Sequence, residues 1–261
     1  MTREPVVRRT VRDNATWLTL SRPGRGNSLT LDVLDQLRSA INTLPTGQPV
    51  VLTGDGAAFS TGGDILPFLQ HAGDPDGLRD YARRLVGALN ETLLTLHARE
   101  FPLIAAVNGP VTGGSLGLAL IADRIVMARS AFVQPYYGVM GFAPDGGWTA
   151  LLPDRIGVAQ TRAWIANDTR RSGEACFRLG VCDSVIDDDS FDAAVAAEIA
   201  RLQSLDAGVL STTRQLLGPD RNTLAKALDA ECEAFIAQIT RAETIARMRA
   251  FAANGKMVRG K

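Results

Sequence analysis

Asn108-Gly109-Pro110-Val111-Thr112-Gly113-Gly114-Ser115 follows directly on the apolar run Leu103–Val107, and Phe59-Ser60-Thr61-Gly62-Gly63-Asp64 comes shortly after a second apolar run, Pro49–Thr53. Short apolar runs closed by turn residues read as buried strands. A Gly-Gly pair behind such a strand admits unusual dihedrals and lets another group approach the backbone closely. Behind the second loop, residues 114–121 read as a short helix, whose free N–H groups and positive dipole end point back at the loop. Two such N–H groups converging on one carbonyl oxygen would form an oxyanion hole. Taken singly, either loop is more often a plain structural turn.

Outward from these loops, the order strand, glycine-rich loop, helix occurs twice in succession, which predicts an α/β spiral of similar units. Upstream, alternating runs at 5–11 and 16–20 flank Asp13-Asn14 and read as a hairpin, ended by Arg22-Pro23-Gly24. Leu31, Leu34, Leu37, Ile41 and Leu44 behind Thr30 predict a helix over 31–44. Leu78, Tyr81, Leu85, Leu89, Leu93 and Leu96 predict another over 77–97, and residues 124–128 read as a strand. Beyond Phe191 the helical patterns 191–204, 207–217 and 222–253 dominate. The chain thus divides into a core, 1–190, and a helical region, 191–261.

At 261 residues and 46% hydrophobic content, the chain can bury a sizeable core. Lys+Arg and Asp+Glu both number 28, so no overall field draws it onto a polyanion, and nucleic-acid binding is disfavoured. The opening MTREPVVRRT lacks an apolar leader core, and no stretch approaches the roughly 18 apolar residues of a membrane span, so the expected compartment is cytoplasmic. Cys176, Cys182 and Cys232 lack CxxC spacing and only His71 and His97 accompany them, so no metal site is expected.

The two loops resemble the crotonase (enoyl-CoA hydratase/isomerase) superfamily when read with Leu20-Ser21-Arg22-Pro23 through Asn27, Ile104–Gly109, Ala122-Asp123, Pro144-Asp145-Gly146-Gly147, Leu152-Pro153 and Ile156-Gly157. The resemblance covers about residues 15–190. It implies a spiral of ββα units, a helical C-terminal segment that packs subunits into homotrimers or dimers of trimers, and an acyl-CoA thioester as substrate with no permanently bound cofactor. Carried over, the oxyanion donors are the N–H groups of Gly63 and Gly114. The coenzyme A contacts are Arg25, the backbone near Thr61 and Gly63, and Lys256. Asp64 stands with them in the first loop, where it also reads as a cap of that loop or of the next helix.

Hydratases of the family use two glutamates, and here those positions hold Gly117 and Tyr136. Glycine has no side chain and an ordinary tyrosine is a poor base at neutral pH, so paired activation of water has no obvious agent. Asp145 resembles the aspartate of isomerase-type relatives. As a single base it would take a proton from C2 of a 3-enoyl thioester and return it at C4, with Phe142, Trp148, Tyr136 and Tyr137 keeping the site dry. Asp-Gly equally makes a turn or caps a helix beginning at Gly146. Tyr136 and Tyr137 read either as donors to a substrate carbonyl or as packing, Trp148 as core, and His71 as a loop residue near the acyl pocket. Two other readings stay open. One is a hydratase- or lyase-type reaction through an unconventional base, or nucleophilic attack by Asp145; the other is a binding subunit without catalysis.

Overall fold

Asp13 and Asn14 both take left-handed backbone conformations (φ 53° and 54°), which turns β1 (Val7–Arg12) antiparallel onto β2 (Ala15–Leu20). The structure is a computed structural model that describes residues 4–253. From β2 the sheet continues through β3 (Val50–Gly54), β4 (Leu103–Val107), β6 (Arg124–Ala128) and β9 (Ser184–Ile186), each parallel to its neighbour. Strands β3 and β4 are buried along their whole length, which accounts for their unbroken apolar sequence. A small second sheet joins β5 (Val111–Thr112), β7 (Phe132–Gln134) and β8 (Arg171–Ser172). It lies where the second glycine loop leaves β4, and Ser60 of the first loop bridges to Val111 within it.

Helix α1 (Leu31–Ile41) is capped by the Thr30 side chain and buries Val33, Leu34, Leu37 and Ile41. It stops before Leu44, which the spacing had included; residues 42–44 are turn and loop. A short α2 (Ile65–Gln70) follows the first loop, and α3 (Pro75–His97) starts two residues before the predicted 77. There Asp74 accepts the Asp76 N–H and Pro75 fills the first helical position, where a missing N–H costs nothing. Behind the second loop a 3-10 turn (Gly113–Ser115) leads into α4 (Leu116–Leu120).

Four short helices, α5 (Tyr137–Met140), α6 (Leu152–Ile156), α7 (Val158–Asn167) and α8 (Gly173–Leu179), connect β7 to β9, and none was legible by periodicity. The helical region comprises α9 (Phe191–Gln203), α10 (Ala207–Leu217), α11 (Arg221–Ile239) and α12 (Ala242–Ala253). The single helix expected over 222–253 is therefore two, broken at Thr240-Arg241, because apolar spacing runs on across the break. Leu224, Leu228, Phe235 and Ile239 of α11 join the same core as the sheet, and Asn90 of α3 donates to the Leu228 carbonyl at 3.0 Å. Among the described residues no helix is long and apolar enough to cross a membrane.

Asp123 centres a buried ionic cluster that joins the helical region to the sheet. Asp123 accepts the Leu103 N–H at 2.8 Å and faces Arg99 at 2.9 Å and Arg214 of α10 at 2.8 Å. The Arg99 side chain is wholly buried, and burial lowers its pKa to about 10 against the pull of Asp123. Removing one partner of such a group leaves a buried charge uncompensated. Asp123→Asn is expected to cost about 3–5 kcal/mol of stability in urea unfolding, whereas Arg38→Ala, on a more exposed helix pair, should cost about 1 kcal/mol or less.

Candidate active site

Two stretches of backbone form one side of the site. Leu29 donates its N–H to the Gly62 carbonyl at 2.8 Å and accepts the Asp64 N–H at 2.9 Å, so the two bonds flank Gly63. In a parallel bridge of this kind the middle residue's own N–H lies on the side away from the partner. Gly114 is the second residue of its 3-10 turn, so its N–H has no partner within that turn. Both glycines line one cavity of about 110 Å³, which Asp145 lines as well. Its apolar wall comes from Phe68 of α2, Leu85 and Leu89 of α3, Phe142, Phe235 of α11 and Phe251 of α12.

Asp145 reaches this cavity because of a close backbone crossing. Gly146 has φ 63°, and a Cβ there would fall 2.3 Å from the Gly114 carbonyl oxygen, so only glycine permits the approach. The crossing lays the Asp145 carboxyl against Gly114: a Cβ on Gly114 would meet Asp145 Oδ2 at 2.7 Å. The same loop fills the space beside Gly117, where a Cβ would stand 2.0 Å from the Gly146 carbonyl oxygen. This backbone has no room for any side chain at 117, a glutamate included.

The Asp145 carboxyl is buried, and the Tyr137 hydroxyl donates to its Oδ1 at 2.9 Å. The same hydroxyl lies 2.9 Å from the Asp145 carbonyl oxygen and accepts the Asp145 N–H at 3.2 Å. Burial and, after it, the charge of Glu231 push the Asp145 pKa up to about 7, although the Tyr137 hydrogen bond pulls the other way. Burial and then the Asp145 charge raise the Tyr137 phenol well above its ordinary value, so it remains a proton-bearing donor. A carboxyl that titrates near neutrality in an apolar pocket suits proton transfer.

Glu231, the residue that sequence reasoning missed, enters from α11. It accepts the N–H groups of Gly147 (2.8 Å), Thr149 (2.6 Å) and Ala150 (3.1 Å) and the Thr149 hydroxyl (2.6 Å). Its signal was a charged residue on the buried stripe Leu224, Leu228, Cys232, Phe235 of an otherwise ordinary amphipathic pattern.

Other predicted residues divide. Asp145 caps no helix, because residues 146–151 form turns and α6 begins only at Leu152. Tyr136 sits in a left-handed conformation (φ 61°), donates its N–H to Asp168 at 2.6 Å and packs edge-on against Phe251. It lines the cavity, but Tyr137 is the one bonded to Asp145. Trp148 is fully buried and its Nε1 donates to the Gly113 carbonyl at 2.8 Å, so it is core that also steadies the second loop.

Asp64 caps α2 through the Leu66 N–H and accepts from Arg22 (3.1 Å) and Arg25 (2.9 Å). Burial works against its charge, but the Leu66 N–H and the two arginines outweigh it and hold its pKa below the usual value. Arg25, expected at the coenzyme A nucleotide, is thereby bound to Asp64. Thr61 lines the cavity and its hydroxyl donates to the Gly26 carbonyl at 3.2 Å. His71 stacks on Tyr81 at 5.4 Å. Lys256 lies outside the described residues. Among the described residues no group of three His, Cys, Asp or Glu stands ready to hold a metal ion.

A family model described as enoyl-CoA hydratase/isomerase matches residues 11–258. A Mycobacterium bovis protein named as a probable enoyl-CoA hydratase is 32% identical over 231 residues, covering 84% of this chain and 80% of its own. An Arthrobacter protein named as a 4-chlorobenzoyl coenzyme A dehalogenase is 28% identical over 194 residues, covering 72% of this chain and 68% of its own. The crystal structure of an enoyl-CoA hydratase from Bacillus halodurans superimposes with a TM-score of 0.85 at 24% identity, over 94% of this chain and 99% of that one; at that identity the likeness speaks to the fold.

The raised Asp145 pKa carries a stability consequence. Between pH 4 and 7 the folded state keeps a proton that the unfolded chain, with its carboxyl near 3.8, has released, so stability falls as pH rises through this window. The gap corresponds to roughly 4 kcal/mol at most, at about 1.4 kcal/mol per tenfold. In urea unfolding, Asp145→Asn is expected to gain on wild type by about 2–3 kcal/mol between pH 5 and pH 8; a pH-independent difference would show that Asp145 titrates normally.

Proposed function

The chain belongs to the enoyl-CoA hydratase/isomerase family, and we propose that within this crotonase superfamily of acyl-CoA enzymes it moves the double bond of a 3-enoyl thioester, with Asp145 as the base. One observation carries the proposal: the buried Asp145 carboxyl, held by the Tyr137 hydroxyl, shares one apolar cavity with Gly63 and Gly114.

The thioester carbonyl oxygen would lie on those two N–H groups, each worth about 3–4 kcal/mol once negative charge develops there. Ionised Asp145 takes the proton from C2, the dienolate oxygen rests on Gly63 and Gly114, and protonated Asp145 returns the proton at C4. No water enters the balance, which fits the apolar wall of Phe68, Leu85, Phe142 and Phe235. Syn-hydration asks for a second carboxylate from the α4 helix, and the backbone at Gly117 has no room for one. Coenzyme A is part of the substrate in this reading, with Thr61 at the cavity and the Arg22–Arg25–Asp64 group close behind it. The exposed Val209, Leu216 and Leu217 of α10, together with the family resemblance, support assembly into a homotrimer or a dimer of trimers through the helical region.

C2-proton exchange in deuterated buffer, followed for a panel of saturated and 3-enoyl-CoA thioesters, tests the reading. Wild type should exchange and isomerise, with a rate that rises with pH about a midpoint near 7. Asp145→Asn should lower it about 10²–10⁴-fold. Exchange that survives in this variant places the base elsewhere, and an acyl group trapped on Asp145 in mass spectra makes it a nucleophile instead. Tyr137→Phe removes a hydrogen bond that favours the carboxylate, so its midpoint should move to higher pH.

A further inference from the structure

Glu231 occupies an unusual position for a carboxylate. It is almost wholly buried, lies 81 to 84 residues downstream of the loop residues it touches, and does not line the cavity. All four of its hydrogen bonds arrive as donors, from Gly147, Thr149 twice and Ala150. The three N–H groups can only donate, so they favour the ionised form and work against the burial that raises its pKa. The three N–H groups belong to the segment immediately after Asp145-Gly146, where Gly147 itself holds φ 90°. No strand or long helix supports that segment; residues 146–151 are turns.

We propose that Glu231 is a positioning residue for Asp145: it gathers the N–H groups of Gly147, Thr149 and Ala150 to fix the turn that aims the base at the cavity, and, once ionised, it sets a negative charge beside that base. Burial and, after it, this charge make Asp145 a better proton acceptor than an exposed aspartate, while the Tyr137 hydroxyl pulls the other way. Electrostatically the pair titrates in order. The first proton leaves Glu231, with its four donors, and the second leaves Asp145, beside a charge already present. The groups that face Asp145 are few: Tyr137 from α5, and Glu231 and Cys232 from α11, while the α3 wall presents Leu85, Val86 and Leu89. Arg83 does not neutralise Glu231, since its ion pair is with Glu233 on the exposed face of α11.

This assignment rests on Asp145 being the catalytic base, but its test does not depend on turnover. The Asp145 carboxyl carbon is followed by NMR in full-length protein labelled with ¹³C in aspartate and glutamate side chains, its resonance identified by its absence in Asp145→Asn. In wild type Glu231 should ionise first and Asp145 second. In Glu231→Gln, which keeps the shape and the Oε1 bonds, the Asp145 midpoint should fall by about one pH unit or more. The midpoint of the C2-exchange rate should fall with it, and the maximal rate should drop more than substrate affinity. An Asp145 midpoint unmoved by Glu231→Gln overturns the proposal, as does loss of activity with an unchanged pH profile, which marks a merely structural contact. Should the variant not fold, the wild-type titration still decides: Glu231 that holds its proton until after Asp145 has lost its own overturns the proposal. If no thioester exchanges its C2 proton yet the Asp145 midpoint moves in Glu231→Gln, the isomerase reading fails and the coupling of Glu231 to Asp145 stands.

Discussion

The approach of Gly146 to within 2.3 Å, measured from where its Cβ would stand, of the Gly114 carbonyl is the constraint on which the site depends. It brings two segments about thirty residues apart into van der Waals contact through backbone alone, and any side chain at either 117 or 146 would force them apart. Once they touch, the Asp145 carboxyl has no course but to lie over Gly114. The rest of the fold serves this crossing. Parallel strands β3 and β4 deliver both glycine loops at one end of the sheet, where ligands of α/β proteins commonly bind. The small sheet of β5, β7 and β8 holds the outgoing chain, and Trp148 fastens the Gly113 carbonyl beneath it.

Two buried carboxylates in one neighbourhood have opposite fates, and the difference is environmental. Asp64 and Asp145 are both nearly inaccessible to water. Around Asp64 stand Arg22, Arg25 and the Leu66 N–H, which together outweigh burial and keep it ionised and structural. Around Asp145 stand a phenol and a second carboxylate, so burial prevails and the group titrates near neutrality. Environments that push the pKa values of like groups apart are how a fold separates a structural acid from a chemical one. The apolar cavity wall sharpens that separation, since it excludes the water that would relax Asp145 toward an exposed value.

Much of the fold could be read from the sequence because its strongest signals are local. The hairpin, α1, α3 and the strands β3, β4 and β6 follow from alternation, helical spacing and short apolar runs, and each was found within a few residues. Positions 132–190 were not legible. Their strands span two or three residues and several helices four to seven, too short for a period to declare itself, and their shape is set by tertiary contacts such as Asp168 accepting the Tyr136 and Val139 N–H groups. The placement of the candidate site was legible where glycine loops mark it, as at Gly63 and Gly114, and where one residue type stands out, as at Asp145, and the three meet in one cavity. It was illegible where it depends on local backbone turns or on distance in sequence: the left-handed turn at Tyr136 that leaves Tyr137 as the partner of Asp145, and Glu231, which comes from far along the chain.

That last distance bears on how the two regions of the chain relate. The helical region does more than cover the core, because each of its last two helices holds one of the loops that make the site. Glu231 of α11 binds the turn after Asp145, while Thr244 and Arg247 of α12 donate to the Gly141 and Gly138 carbonyls at 3.2 and 2.8 Å, just after and within the short helix that carries Tyr137. Phe235 and Phe251 of the same helices complete the cavity wall. The Asp145 carboxyl, the Tyr137 phenol and the cavity wall therefore all depend on residues that fold onto the core from far along the chain. The break at Thr240-Arg241 lets the two helices take separate directions, so that one chain segment can grip both loops.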